Sequence, residues 1–268
     1  MSWITALRRR PVAGYAVVLL GLITIGMAYG ALAGQGSPAS AATPGTVSPQ
    51  TIAQGRELFI QSCSSCHGMD AQGTAQAPSL VGVGAAAVDF QVSTGRMPGK
   101  ELAPEFDRKP VTFTPQQIHA LAAYVASLGG GPAIPSAAEV STAGANTALG
   151  QNLFITDCAQ CHNFDGAGGA LTYGKFAPAL TQSTNTQMFE AMLTGPESMP
   201  VFADTTITPA QKRDIIAYVT KLRAEPNPGG FSLGRIGPVT EGIVGFLGGI
   251  GVLVFLALWI TMKRRETT

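Results

Sequence analysis

The chain has 268 residues, room for one large domain or two small ones. It is 46% hydrophobic and only 12% charged, with mean hydropathy +0.23; soluble chains carry about twice that charge, so part of this one belongs in a membrane. Net charge is +1, and once the basic clusters at the two ends and the nearby Glu241 and Glu266 are set aside, 11 basic residues face 14 acidic ones. That balance lacks the basic face that nucleic acid demands, and no nucleic-acid partner is expected.

The first feature is Arg8-Arg9-Arg10 followed by an uncharged apolar run from Val12 to Ala33. It is long enough to span a bilayer, which takes about 20 apolar residues. A cleaved signal peptide is the competing reading, with small-residue sites at Ala31-Leu32-Ala33 and Ala39-Ser40-Ala41. The length favours an uncleaved helix, since a signal's apolar core is roughly 7–15 residues. N-terminal sequencing of the mature protein distinguishes the two. Residues 34–47 are small, polar and proline-containing and read as a tether.

Two similar modules follow. In the first, a helix carries Gly55-Arg56-Glu57-Leu58-Phe59 into Cys63-Ser64-Ser65-Cys66-His67; Pro78-Ser79-Leu80, Met97-Pro98, Phe113-Thr114-Pro115 and Tyr124-Val125 come after. In the second, Gly150-Gln151-Asn152-Leu153-Phe154 leads into Cys158-Ala159-Gln160-Cys161-His162, then Pro178-Ala179-Leu180, Met199-Pro200, Ile207-Thr208-Pro209 and Tyr218-Val219. The order is kept throughout and the offset drifts only by loop-sized amounts. Apolar residues recur at helical spacing over 116–128 and 210–222, and each stretch opens on a threonine cap followed by a first-turn proline. The glycine- and proline-rich middle of each module reads as mostly loop, and no strand alternation is evident, so the class is mainly α. A second tether, 129–146, separates the modules, and a third leads to the uncharged run from Ile243 to Met262. Lys263-Arg264-Arg265 close that run, and Gly245 with Gly249 forms a small-xxx-small face suited to a partner helix. The expected organisation is a basic end and apolar segment (1–33), linker (34–47), module one (48–128), linker (129–146), module two (147–224), linker (225–242), membrane helix (243–262) and basic tail (263–268). Basic clusters favour the cytoplasmic side, so both termini are expected inside and both modules outside, in a multi-pass cell-membrane protein.

All four cysteines lie in the two Cys-x-x-Cys-His motifs, the attachment signature of c-type haem. Two cysteines about one turn apart can each form a thioether to a porphyrin vinyl group. The adjacent histidine then lies beside the ring, where it can ligate the iron. A four-cysteine zinc site, a thioredoxin-like pair and structural disulfides give the two histidines no role. Two covalent haem c groups are therefore expected, held by Cys63, Cys66, Cys158 and Cys161, with His67 and His162 as axial ligands. Each iron needs a sixth ligand. Met97 and Met199 occupy equivalent loop positions and are assigned that role. Met69 is too close to His67 to reach the far face, Met188 and Met192 fall four apart on a helix and read as core, and His119 reads as a solvated helix position. Histidine–methionine ligation favours ferrous iron and fills both axial sites, which points to electron transfer without chemistry at the iron.

The modules resemble class I cytochrome c domains over nearly all of 48–128 and 147–224. That resemblance implies that the first helix of each module crosses its last. It also implies that the haem-ligating histidine donates to a proline carbonyl, here Pro78 and Pro178, which fixes the ring orientation. The whole layout resembles the dihaem cytochrome c subunit of the actinobacterial cytochrome bcc complex, a quinol–cytochrome c reductase. The resemblance implies a non-catalytic electron-transfer subunit of a translocase. Its partners would be a cytochrome b subunit, a Rieske iron–sulfur subunit that donates electrons and a haem-copper oxidase that accepts them. Three rival functions remain: a stand-alone anchored dihaem shuttle, a dihaem peroxidase and the electron-accepting subunit of a periplasmic dehydrogenase. The peroxidase needs an open iron site, which Met97 and Met199 argue against.

Overall fold

The computed structural model describes residues 47–100, 103, 105–224 and 238–265, together with residues 15, 18–25 and 27 of the first apolar run. The chain divides into two units, Met1–Thr43 and Pro44–Thr268. In the first, the described residues are helical, and the rest of the span expected over 12–33 lies outside the described residues, as does most of the tether at 34–47. Both modules and the C-terminal helix belong to the second unit.

Module one opens with α1 (Pro49–Ser62), where the Ser48 hydroxyl accepts from the Thr51 amide and Pro49 fills a first-turn position that needs no donor. A single turn, α2 (Ser64–His67), carries the second cysteine and the histidine. Next come α3 (Gly84–Ser93) and α4 (Pro115–Ser127). Thr114 caps α4 in a reciprocal box with Gln117, as the Thr-Pro pair in the sequence predicts. After a short helix, α5 (Ala137–Val140), module two repeats the plan. It has α6 (Thr147–Leu153) continuing through a π-helical turn (Phe154–Cys158) into α7 (Ala159–His162), then α8 (Asn185–Thr194) and α9 (Pro209–Ala224).

The first and last helices of each module cross at a glycine. A Cβ on Gly55 would meet the Ala120 carbonyl, and one on Gly150 would meet the Asp214 carbonyl, so only a residue without a side chain permits the approach. Beside each crossing an aromatic pair closes the contact with the same geometry. Phe59 and Tyr124 lie 5.3 Å apart and Phe154 and Tyr218 5.4 Å apart, both tilted by 52°. Each module has its own core. In module one Phe59, Val92, Ile118, Leu121 and Val125 pack together; in module two Phe154, Met188, Phe189, Met192, Ile207, Ile215, Ile216 and Val219 do so.

Two features depart from the sequence reading. The middle of each module is mostly loop, as expected, and α8 is the helix on which Met188 and Met192 fall four apart, but α3 is a helix that the sequence reading did not place. The α3 segment is alanine-rich and its apolar residues follow no single face, so helical periodicity does not reveal it. A two-residue antiparallel pair also forms, with Gly169–Ala170 against Phe176–Ala177, in the longer loop of module two. Strands this short leave no alternation to detect.

The modules meet through α3 and α8, the same element of each repeat. The Gln187 amide nitrogen donates to the Ser93 hydroxyl at 3.0 Å, and the Arg108 guanidinium donates to Gln187 Oε1 at 2.6 Å and to the Gln182 carbonyl at 3.1 Å. The C-terminal helix α10 (Pro238–Arg265) contains the one segment among the described residues long and apolar enough to cross a membrane, Gly242–Met262. Its described side chains are all exposed, and a Cβ on Gly245 or Gly249 would meet open space.

Candidate functional site

Each module holds one largely apolar cavity. In module one Cys63, Cys66, His67, Pro78, Leu80, Val92, Met97, Leu121 and Val125 contribute to its wall. The equivalent residues Cys158, Cys161, His162, Pro178, Leu180, Met192, Met199, Ile215 and Val219 contribute to that of module two. The two motifs and the two distant Met-Pro pairs thus come together at one cavity apiece. The local reason is plain in module one. The helix α1 ends at Cys63, whose amide still bonds the Phe59 carbonyl at 2.8 Å, and the chain re-enters a single turn that brings Cys66 and His67 to the same wall.

The histidines are held alike. His67 Nδ1 lies 2.8 Å from the Pro78 carbonyl oxygen and His162 Nδ1 lies 2.9 Å from that of Pro178. A carbonyl only accepts, so Nδ1 carries the proton in both rings and Nε2 is left with the lone pair that a metal needs. Burial lowers the His162 pKa, partly countered by this bond, and so favours the neutral ring.

None of the four cysteines forms a disulfide. Burial, reinforced by the neighbouring Cys66, pushes the Cys63 thiol up to about 11. Burial, then Asp157 and Cys161, pushes Cys158 up to about 12. A reactive thiolate or a thiolate metal site calls for the opposite shift, towards a low pKa in electropositive surroundings. No cluster of three or more His, Cys, Asp or Glu side chains that could hold a bare metal ion occurs among the described residues. The donor set instead fits haem c: two thiols and an imidazole on one wall, a thioether sulfur in the same cavity, and apolar side chains around them.

The other candidates are placed as follows. Met188 and Met192 are buried in the core of module two and also border its cavity, and Arg223 approaches the Met188 sulfur at 3.2 Å. Met69 is 55% exposed, and His119 lies on the solvent side of α4. The sequence reading missed a group of residues between the cavities. Phe90, Arg96 and Glu105 of module one border the cavity of module two, and Glu197 borders both. Arg96 directly precedes Met97-Pro98 and Glu197 lies two residues before Met199-Pro200, but nothing in spacing or periodicity says that they meet.

Family models match both modules. The cytochrome c model covers residues 52–129, and the model for subunit III of cbb3-type cytochrome c oxidase covers residues 145–219. Among curated relatives, the cytochrome bc1 complex cytochrome c subunit of Mycobacterium leprae is 47% identical over 77% of this chain and 73% of its own length. The subunit of the same name from Mycobacterium tuberculosis is 43% identical, covering 95% of this chain and 91% of the relative. That from Corynebacterium efficiens is 40% identical, covering 94% and 89%. Two cytochrome c domains imply haem binding in each module, and kinship with subunits of a membrane complex agrees with anchoring through α10.

Proposed function

The chain belongs to the family of cytochrome bc1 complex cytochrome c subunits, and from that premise we propose that it carries two covalent haem c groups in relay within a respiratory quinol–cytochrome c reductase. The relay takes electrons from a Rieske iron–sulfur subunit and delivers them to a haem-copper oxidase, beside a cytochrome b subunit. The observation that carries this reading is the duplicated cavity, in which a Cys-x-x-Cys-His turn and a distant Met-Pro methionine meet twice over.

In this reading Cys63 and Cys66 hold one porphyrin by thioethers, and Cys158 and Cys161 hold the other. His67 and His162 ligate iron through Nε2, while Pro78 and Pro178 fix the tautomer and the ring plane. Met97 and Met199 would each offer a thioether sulfur to the iron in their own cavity. Haem supplies one-electron exchange between ferric and ferrous iron. The chain's own imidazole and thioether groups would hold the iron and the apolar walls would limit water around each ring, so that little would reorganise when charge moves. With a histidine and a methionine offered to each iron, the chemistry expected is electron transfer without reduction of peroxide or oxygen.

The modules span 48–128 and 147–224, on the extracytoplasmic side, with α10 and the first apolar run as anchors and both basic clusters in the cytoplasm. The intact mass of the denatured chain tests attachment. Two haem additions are expected in the native protein and one in the Cys158→Ser/Cys161→Ser variant. A native chain without added mass overturns the proposal.

A further inference from the structure

The two cavities share a wall that neither module builds alone. On one side of the junction stand Phe90, Arg96 and Glu105, residues of module one that border the cavity of module two. On the other stands Glu197, which borders both cavities. Arg96 is 5% exposed, and its guanidinium lies over the Phe90 ring, 5.1 Å from the centroid. Its Nε is 3.8 Å from Glu197 Oε1 across the module boundary. The Glu197 side chain is only 17% exposed; the exposure of that residue lies in its backbone. The same carboxylate accepts the Phe106 amide of module one at 3.0 Å, and Glu105 returns the bond by accepting the Phe176 amide of module two at 2.7 Å. Asp107 and Arg108 complete the charged groups that act on Arg96. Glu197 has φ +57, a left-handed conformation uncommon for glutamate that persists where surrounding contacts hold it.

A buried charge beside a haem selects between its oxidation states. Ferric haem carries one more positive charge than ferrous haem, so a nearby cation favours the ferrous form and a nearby anion the ferric form. We propose that Arg96 of module one is a positioning and charge-setting residue for the haem of module two, and that Glu197, common to both walls, ties the potentials of the two haems together. Module one is thereby part of the second haem's binding site, and the relay works only with the modules joined. This inference rests on the assignment of one His/Met-ligated haem to each cavity.

The test is a potentiometric titration of the c-type bands of the full chain, purified from membranes with its partners. In a Met97→His background the first haem drops to low potential, and the remaining high-potential step reports module two. Arg96→Gln there should make that haem about tenfold harder to reduce, about 59 mV for one electron. Arg96→Lys, which keeps the charge, should leave the step near its place, and Glu197→Gln should move it the other way. Retention of the methionine sulfur-to-iron band of module two separates a charge effect from a lost ligand. The proposal is overturned if Arg96→Gln leaves the module-two step unmoved, or if Arg96→Lys lowers it as far. If Met97→His shifts neither step, the ligand assignment fails by itself. The Arg96 variants in the native background then decide the present inference, and no movement of either c-type step overturns it.

Discussion

The helix crossings offer the sharpest test of the fold that positions both sites. At Gly55 an added Cβ would stand 2.6 Å from the Ala120 carbonyl carbon and 2.8 Å from the Tyr124 Cβ, and it would overlap the Ala120 oxygen. At Gly150 it would overlap the Asp214 carbonyl and stand 3.0 Å from the Ile215 amide. All but the Tyr124 Cβ are backbone atoms of the facing helix, and that Cβ is fixed to its own backbone, so the helices must part rather than a side chain turn aside. Forcing a methyl group into such a contact costs about 1–3 kcal/mol. Replacing glycine by alanine within a helix returns about 0.5–1 kcal/mol. Because the closest contacts are with backbone atoms at less than 3.0 Å, the clash falls in the upper half of that cost, and the net loss for Gly55→Ala or Gly150→Ala centres on about 1–2 kcal/mol. For a module of this size that lowers Tm by about 5–15 °C. Gly130, whose Cβ would meet nothing within 4 Å and whose φ is not positive, is the control and should stay within about 0.5 kcal/mol. Thermal unfolding followed by circular dichroism in the haem Soret region reports each variant. If Gly55→Ala and Gly150→Ala melt with the Gly130→Ala control, the crossing does not hold the modules as described.

Three further outcomes follow from the same geometry. Glu190 is fully buried at the module junction, and neither of its carboxyl oxygens meets a hydrogen-bond partner; the Asp89 carboxyl faces it without the geometry of a full hydrogen bond. Burial first, and Asp89 second, raise its pKa from 4.5 to about 10, and burial raises Asp89 as well, against the pull of Glu190 and of His119. The folded chain thus keeps a proton that the unfolded chain releases above 4.5, so this stability is present below that pH and is lost as pH rises through about 10. Glu190→Gln should flatten the fall in denaturant stability across that window, and an unchanged slope would show that Glu190 is not its source. Met97→Ala and Met199→Ala should each weaken the sulfur-to-iron band near the red end of the ferric spectrum by about half, and a variant that leaves the band intact removes that methionine as a ligand. Thr114→Ala and Thr208→Ala each remove a capping box and should cost about 1 kcal/mol in urea titration.

Much of the fold was legible because the chain states it twice. Matched pairs such as Gly55 with Gly150 and Phe59 with Phe154 mark a helix crossing whose reasons are local and steric. The capped starts of α4 and α9 carry their own signals in Thr-Pro pairs. The cysteines, histidines and methionines were legible for a chemical reason, since few ligand sets use those residue types at those spacings. The helix α3 was not, because Gly84-Ala85-Ala86-Ala87 has no apolar stripe and its burial comes from α4 and from module two. The junction was hidden for a different cause. Gln187 pairs with Ser93 across 94 residues of chain, Phe106 with Glu197 across 91, and Arg96 with Glu197 across more than 100; no periodicity or spacing encodes such meetings. The same holds for Glu190, which reads as an ordinary helical glutamate until α3 covers it.

One reduced-minus-oxidised visible spectrum tests the central claim most directly. The tagged chain is purified from membranes in mild detergent, and its bands are read as a set. A c-type band accompanied by b-type and a-type bands is the predicted result and places the dihaem relay between a quinol-oxidising complex and an oxidase. A c-type band alone, in detergent gentle enough to keep membrane complexes intact, contradicts it and leaves a free-standing anchored carrier.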